Sequence, residues 1–570
     1  MITIENVIIY ITIYMLIAII LHKKDLLPSS VSVWGPILTL RSKKGLGTIE
    51  NIANKLDRFW VPWGTGGVFA AILTGIVGLF FVVVSTFGIL TQPETVAIQG
   101  PSDMVVIPGV NRFLPLSAAL EIVIGLLIGM VVHEMGHAIL CRVGDIDVKS
   151  TGVIFGALIP LGAFVEPDED SVEEASAKKR IRMYAAGIMN NYAVFAVSLI
   201  LLFIISTSFI SPISGIGISA VIDNSPAERM GLEEGDVITG VDNTTIESQE
   251  QFNELIREEP EELEINNNET VPLEKSAFVT QVPERLELSI SDTIKEVDGV
   301  AINSPEGLRN ELLDTEETHV DLTLEDGSTK NIPVGAYVTS EQKIGVAESM
   351  NLEQGQSTII FSVDGERVYD RNTLVDAIQN TEGSFDITYV TEDGETETVE
   401  TQLDEEDNPI IISENISGIN TSLLGIQVYP AEEFYNILTP SDSITGFLQN
   451  LLSLILLPIA SLAPGVESSF PGFTPFIQNF YEISNAPAWS AGMIYFTFNV
   501  MFWSAWINFN LALFNCLPTF ALDGGHILNA STEIIFGDNH SDKVIYWIST
   551  FIKLFVLVSL LLMLFIPLFV

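Results

Sequence analysis

Six stretches of this chain stay apolar over bilayer-scale lengths: 67–90, 117–141, 188–210, 444–462, 494–517 and 544–570. About 20 predominantly apolar residues cross a hydrocarbon core as a helix, so these stretches predict membrane helices. Residues 1–22 form a further apolar run with no basic n-region and no small-residue cleavage site. Lys23 and Lys24 follow it directly, so it reads as an uncleaved first span. One more stretch, 151–165, is too short to cross and is broken by Gly156, Pro160 and Gly162. Such a segment enters a bilayer only where protein covers its backbone or where it lines a wet cavity.

Between 211 and 440 the pattern changes to short apolar groups in polar surroundings, and it repeats. Ile238-Thr-Gly-Val-Asp-Asn, Ile294-Lys-Glu-Val-Asp-Gly and Ile360-Phe-Ser-Val-Asp-Gly share one frame. Counted from Val241, Val297 and Val363, apolar residues recur at +5 (Ile246, Ile302, Val368). They recur at +11 (Phe252, Leu308, Leu374) and at +15 (Ile256, Leu312, Ile378). The aspartate at +1 suits a hairpin turn, and the +11/+15 pair suits one face of a short helix. The repeat predicts three strand–turn–strand–helix units.

The patterns together predict a multi-pass α-helical membrane protein with an inserted extracytoplasmic α+β region. Its parts are an N-terminal membrane domain at 1–210, the repeat region at 211–430, and a C-terminal membrane domain at 431–570.

Charge sharpens this division. The chain carries a net charge of −47, and between Ser211 and Pro440 there are 50 Asp and Glu against 10 Lys and Arg. A surface this acidic repels phosphate, so a nucleic-acid partner is not expected. Acid dispersed over a whole segment suggests a halophile-type surface; the other reading is a patch that selects basic partners. Cys141 and Cys516 are the only cysteines and both lie in apolar runs, so they read as packing residues, not a disulfide framework.

Basic residues give the orientation. Lys23, Lys24, Arg41, Lys43, Lys44, Lys55 and Arg58 lie between the first two spans, and Arg142, Lys149, Lys178, Lys179, Arg180 and Arg182 follow the run 117–141. The intervening loop holds only Arg112. Positive-inside counting puts both basic loops in the cytoplasm, with the N-terminus and the acidic region outside. Glycosylation triplets at Asn268, Asn415 and Asn420 fit that side.

Chemistry enters at His133-Glu134-Met-Gly-His137, inside the run 117–141. Imidazoles four residues apart stack on one face of a helix, where both can bind one zinc ion. The glutamate between them can take a proton from water beside that ion. Ionisable groups within the hydrocarbon are costly and mark function. A catalytic zinc needs a third protein ligand, and Asp523 is the candidate. It stands in Asn515-Cys-Leu-Pro518-Thr-Phe-Ala-Leu-Asp523-Gly524-Gly525, where the run 494–517 ends.

These elements resemble the site-2 protease family of intramembrane zinc metalloproteases. The resemblance rests on the HEMGH span, on Asn515, Pro518, Asp523 and Gly524, and on the insert between them. It extends to Ala186-Gly187-Ile188-Met189-Asn190-Asn191, although Ile188 stands where the family usually has proline. It implies zinc on His133, His137 and Asp523, Glu134 as the proton carrier, and Asn191 as a residue holding substrate or oxyanion. It also implies a membrane-entering β-hairpin at 151–165, and cleavage in or near transmembrane segments of single-pass or multi-pass membrane proteins. His526 is a common neighbour in such enzymes and is not expected as a ligand.

The first repeat resembles a PDZ domain. Gly215-Ile-Gly217-Ile looks like a carboxylate-capturing loop, and Ser225-Pro-Ala, Gly231-Leu and Gly235-Asp-Val-Ile follow in order. The resemblance implies peptide C-termini as ligands there, while copies two and three lack such a loop. Two other readings stay open: a non-proteolytic membrane scaffold displaying these modules, and a metal transporter.

Topology adds one constraint. For Asp523 to reach the HEMGH histidines, the run 494–517 must travel from outside to inside. The stretch 444–462, which carries Gln449, Asn450 and Pro458, is therefore not expected to be a lone full crossing.

Overall fold

The computed structural model describes residues 12–566. Within them, 15, 18–19, 22–23, 25–26, 29, 35–36, 92–106, 112–113, 157–158, 259, 267–268, 341–344, 382, 392–393, 403–409, 442, 459–469, 521 and 537–542 lie outside the described set. Fifteen of the 22 residues of the expected first span, Arg112 and the Asn268 of its triplet thus fall outside the described residues. The chain divides into two compact units. One comprises residues 1–211, 432–478 and 482–570; the other comprises 212–431 with 479–481.

After a helical segment within 12–21, the first unit has two strands, β1 (Val31–Trp34) and β2 (Ile37–Ser42), and the long helix α1 (Asp57–Thr91). Helix α2 (Ala119–Val143) carries the HEMGH motif. After it come β3 (Val148–Gly156) and β4 (Ile159–Pro167), the hairpin expected at 151–165, and then helix α3 (Ala177–Phe209). The four strands form one antiparallel sheet in the order β1-β2-β3-β4, so β4 is an edge strand.

The second unit contains three sheets built to one plan. The first holds β5 (Ile216–Val221), β6 (Val237–Val241), β7 (Glu262–Ile265) and β8 (Glu269–Pro272), with helix α4 (Gln249–Arg257). The second holds β9 (Ala277–Gln281), β10 (Thr293–Val297), β11 (His319–Leu324) and β12 (Thr329–Pro333), with α5 (Pro305–Asp314). The third holds β13 (Ala336–Ser340), β14 (Ser357–Val363), β15 (Ser384–Val390) and β16 (Thr396–Gln402), with α6 (Arg371–Gln379).

The repeated residues do what their spacing predicts. Asp242, Asp298 and Asp364 take positive φ (46°, 48° and 48°), as do Asn243, Gly299 and Gly365 after them. Two successive positive φ angles make the tight turn whose twist matches the flanking strands. Val241, Val297 and Val363 are buried, as are Ile246, Ile302 and Val368, and Phe252, Leu308 and Leu374. Ser248, Ser304 and Asp370 cap the three helices by accepting from the backbone N–H three residues on.

The chain then turns back and completes all three sheets in reverse order. Strand β17 (Ile410–Ile416) pairs with β13, β18 (Asn420–Ser422) with β9, and β19 (Ile426–Tyr429) with β5. Gly418 and Gly425, at φ 72° and 71°, make the two breaks between them. Each returning strand is the outermost of its sheet.

Helices α7 (Ile444–Leu456), α8 (Ala491–Asn515), α9 (Asp523–Phe536) and α10 (Lys543–Phe565) complete the first unit. Among the described residues, four helices are long and apolar enough to cross a membrane: Arg58–Thr91, Leu116–Val143, Ala177–Phe209 and Tyr546–Phe565. The 13 residues of α7 reach roughly 20 Å, short of the ~30 Å core. Helix α8 is long enough but holds Asn499, Asn508, Asn510 and Asn515, which lower its hydropathy. The last three each bond a carbonyl of α8 itself, four residues back. Helix α3 lies at the centre, packed against α1, α2, α8 and α9.

Candidate metal centre

One face of α2 is a stripe of small residues that ends in the histidines. A Cβ on Gly125 would lie 3.1 Å from the Ser504 backbone, and one on Gly129 2.9 Å from Asn508 Oδ1. On Gly136 it would lie 2.6 Å from the Ala186 carbonyl. Across the interface, a Cβ on Gly187 would lie 2.6 Å from His137 Nε2 and 2.8 Å from His133 Cε1. Lipid offers apolar side chains as much as a neighbouring helix does, so close helix contact in a membrane relies on small residues. These glycines let α3 and α8 close on the imidazoles.

Asp523 arrives from the other side. Gly524 and Gly525 fold the segment tightly after α8: a Cβ on the first would run into the Cys516 carbonyl, and one on the second into that of Thr519. Helix α9 is held by an Arg180–Glu533 ion pair to α3 and by Lys553 Nζ donating to Asn529 Oδ1 from α10. The run of N-x-x-P and D-G residues thus becomes a turn that places Asp523 at the start of α9.

Three ligand atoms converge. His133 Nε2 and His137 Nε2 are 3.0 Å apart, and Asp523 Oδ2 lies 3.1 and 3.3 Å from them. That carboxylate oxygen is buried and has no hydrogen-bond partner among the described residues. Ligands around a tetrahedral zinc at ~2.0–2.1 Å stand about 3.3 Å apart, so the triangle fits one such ion. The carbonyl of Met183 accepts from His137 Nδ1 at 2.9 Å, which leaves Nε2 as the free nitrogen. Glu134 belongs to the same cluster as the two histidines. Its Oε2 accepts from the backbone N–H of Val165 at 2.8 Å, so edge strand β4 runs past the base.

His526 takes no part in this convergence and stacks on Tyr184, with ring centroids 4.5 Å apart. Asn191 is fully buried and places its amide nitrogen 3.2 Å from His133 Nδ1. Asn190 is occupied elsewhere, accepting from Trp63 and donating to the Val132 carbonyl. The two insert glycines lie in the other unit. Gly215, at φ 126°, comes so close to β6 that a Cβ would meet the Ile238 carbonyl at 2.5 Å. Gly335 repeats this approach beside the third sheet, where a Cβ would run into the Ile360 carbonyl. Gly217 has a strand on either side, paired with Val237 and with Tyr429. Sequence reasoning missed the packing role of Gly136 and Gly187, although both stand inside quoted elements, HEMGH and Ala186–Asn191.

The model for peptidase family M50 matches residues 121–560, more than half of the chain. An uncharacterized protein of Methanocaldococcus jannaschii is 30% identical over 220 residues, covering 38% of this chain and 55% of that relative. A membrane-bound transcription factor site-2 protease homolog of Arabidopsis thaliana is 28% identical over 143 residues, covering 25% of this chain and 28% of that protein. The chain thus spans about half the length or less of these relatives.

Proposed function

This chain belongs to peptidase family M50, the site-2 protease family, and we propose that it is an intramembrane zinc metalloprotease. The observation that carries the reading is the convergence of His133, His137 and Asp523 on one point beside Glu134. Zinc, when bound there, supplies a Lewis acid that polarises a peptide carbonyl and makes water more acidic. Glu134 takes the proton of the attacking water and passes it to the leaving nitrogen. The Val165 N–H holds the carboxylate in place for that transfer.

The substrates are single-pass or multi-pass membrane proteins cut in or near a transmembrane helix, as in regulated intramembrane proteolysis. A helix hides its carbonyls in its own hydrogen bonds, so the cut stretch must first unwind. Edge strand β4 then holds it by strand addition, next to the base. The active site lies toward the cytoplasmic side, and the N-terminus and the insert lie outside, as the basic loops require. The insert selects substrates as a PDZ-like peptide reader, with peptide C-termini as its ligand class. Strand β5 is paired on both sides, so such a ligand would add to an outermost strand: β8 or β19 in the first sheet, β12 or β18 in the second, β16 or β17 in the third.

The test is to purify the full chain, measure its metal, and follow cleavage of a model transmembrane peptide with and without a chelator. One zinc per chain and chelator-sensitive cleavage are expected. Absence of both supports the scaffold, and metal flux in proteoliposomes without cleavage supports the transporter.

A further inference from the structure

Asp523 Oδ2, without a hydrogen-bond partner among the described residues, faces the convergence point; Asn191, behind His133, also has hydrogen bonding that does not close. Its side chain is fully buried, and Oδ1 has no partner among the described residues. Its Nδ2 faces His133 Nδ1 at 3.2 Å. His133 Nε2 is committed to the convergence point, 3.0 Å from His137 Nε2 and 3.1 Å from Asp523 Oδ2. A neutral imidazole with Nε2 free for a metal carries its single proton on Nδ1. An N–H then faces an NH2 group, two donors with no acceptor between them, while a buried acceptor stands idle beside them.

Rotating the carboxamide by half a turn exchanges two groups of the same shape, removes the donor–donor clash and gives Oδ1 a partner, while Nδ2 takes the position where Oδ1 has none among the described residues. His133 Nδ1–H then donates to Asn191 Oδ1, as His137 Nδ1–H donates to the Met183 carbonyl. We propose that Asn191 is a positioning residue that accepts the Nδ1 proton of His133 and so presents Nε2 to the metal. Each histidine has its own acceptor behind it, one a backbone carbonyl and the other this amide. This role differs from donation to substrate or oxyanion, and it rests on the zinc reading of the site.

The two roles separate in variants of the full-length protein. Asn191→Ala removes the acceptor and the donor, whereas Asn191→Asp keeps an acceptor and loses the donor. Zinc affinity is measured by chelator competition, the ligand field by the absorption of the cobalt-substituted protein, and turnover by cleavage of a transmembrane peptide. Asn191→Ala is expected to weaken zinc binding roughly 10- to 100-fold and to shift the cobalt spectrum. Asn191→Asp is expected to hold zinc within about threefold of the unmodified protein and to keep most of its turnover. Wild-type zinc affinity in Asn191→Ala, or full zinc with lost turnover in Asn191→Asp, overturns the proposal in favour of a substrate donor. An unmodified protein that binds no zinc brings down the underlying reading, a result distinct from either.

Discussion

The membrane helices and the insert reach close packing with opposite residues. In the membrane unit the tight contacts are made by Gly67, Gly125, Gly136 and Gly187, each set against a neighbouring helix. In the insert, apart from the close approaches of Gly215 and Gly335 to a neighbouring strand, the core contacts are made by valine, isoleucine, leucine and phenylalanine repeated at fixed offsets, nearly all of them buried. The solvent explains the contrast. Moving an apolar side chain out of water stabilises by about 25 cal/mol per Å2, but moving it from lipid to a neighbouring helix yields little. Helix contacts in the membrane are therefore encoded by what is absent from a side chain, and contacts in the insert by what is present.

The polar groups divide in the same way. In the membrane unit His133, His137, Glu134 and Asp523 turn inward and meet, so their expense points to chemistry. In the insert most acidic side chains are exposed, and Asp370 is an exception with a structural task. It caps α6 through the Thr373 N–H at 3.0 Å and accepts from Arg309 of the second module at 2.6 Å.

The largest effect predicted from this contrast is at Gly187. Replacing it with valine should abolish zinc binding and cleavage together, because even the first added carbon meets His137 Nε2 at 2.6 Å. The insert should be untouched, as judged by its amide exchange. Zinc bound at wild-type affinity in that variant would break the comparison, since the small-residue contacts would then not set the site.

A smaller effect is expected in the insert. Asp370→Ala should destabilise the third module by about 1–2 kcal/mol through loss of the cap, with zinc content unchanged. Burial alone would raise the pKa of Asp370, but the Thr373 N–H and the Arg309 guanidinium outweigh it and hold the carboxyl below the usual range. Its contribution is thus fully present above the unfolded value near ~3.9 and is lost as pH falls through the lower folded value. Protection of the α6 amides, taken against the intrinsic exchange rate at each pH, should fall below about pH 4 in the full-length protein, less so in the variant. Equal acid sensitivity in both would remove Asp370 from this account.

The same contrast explains what was legible in the sequence. The HEMGH pair and the three repeats each had a spacing signal, and Asp523 had its place at the end of an apolar run; the structure brings the two histidines and Asp523 together and builds three sheets to one plan. Strands β17, β18 and β19 had none, because their residues satisfy three different sheets in turn and share no period. The role of Gly187 was hidden for a related reason: a missing side chain has no pattern until the neighbouring helix is in place. The stretch 444–462 was marked by Gln449, Asn450 and Pro458; its described helix α7 has 13 residues, and 459–462 lie outside the described residues.

The central claim is that the two histidines and Asp523 hold zinc while Glu134 moves the proton. Replacing Glu134 with Gln keeps every ligand and removes only the base, so turnover of a transmembrane peptide and zinc content are measured together. The account predicts one zinc per chain with cleavage lost; cleavage at the wild-type rate with zinc bound would contradict it.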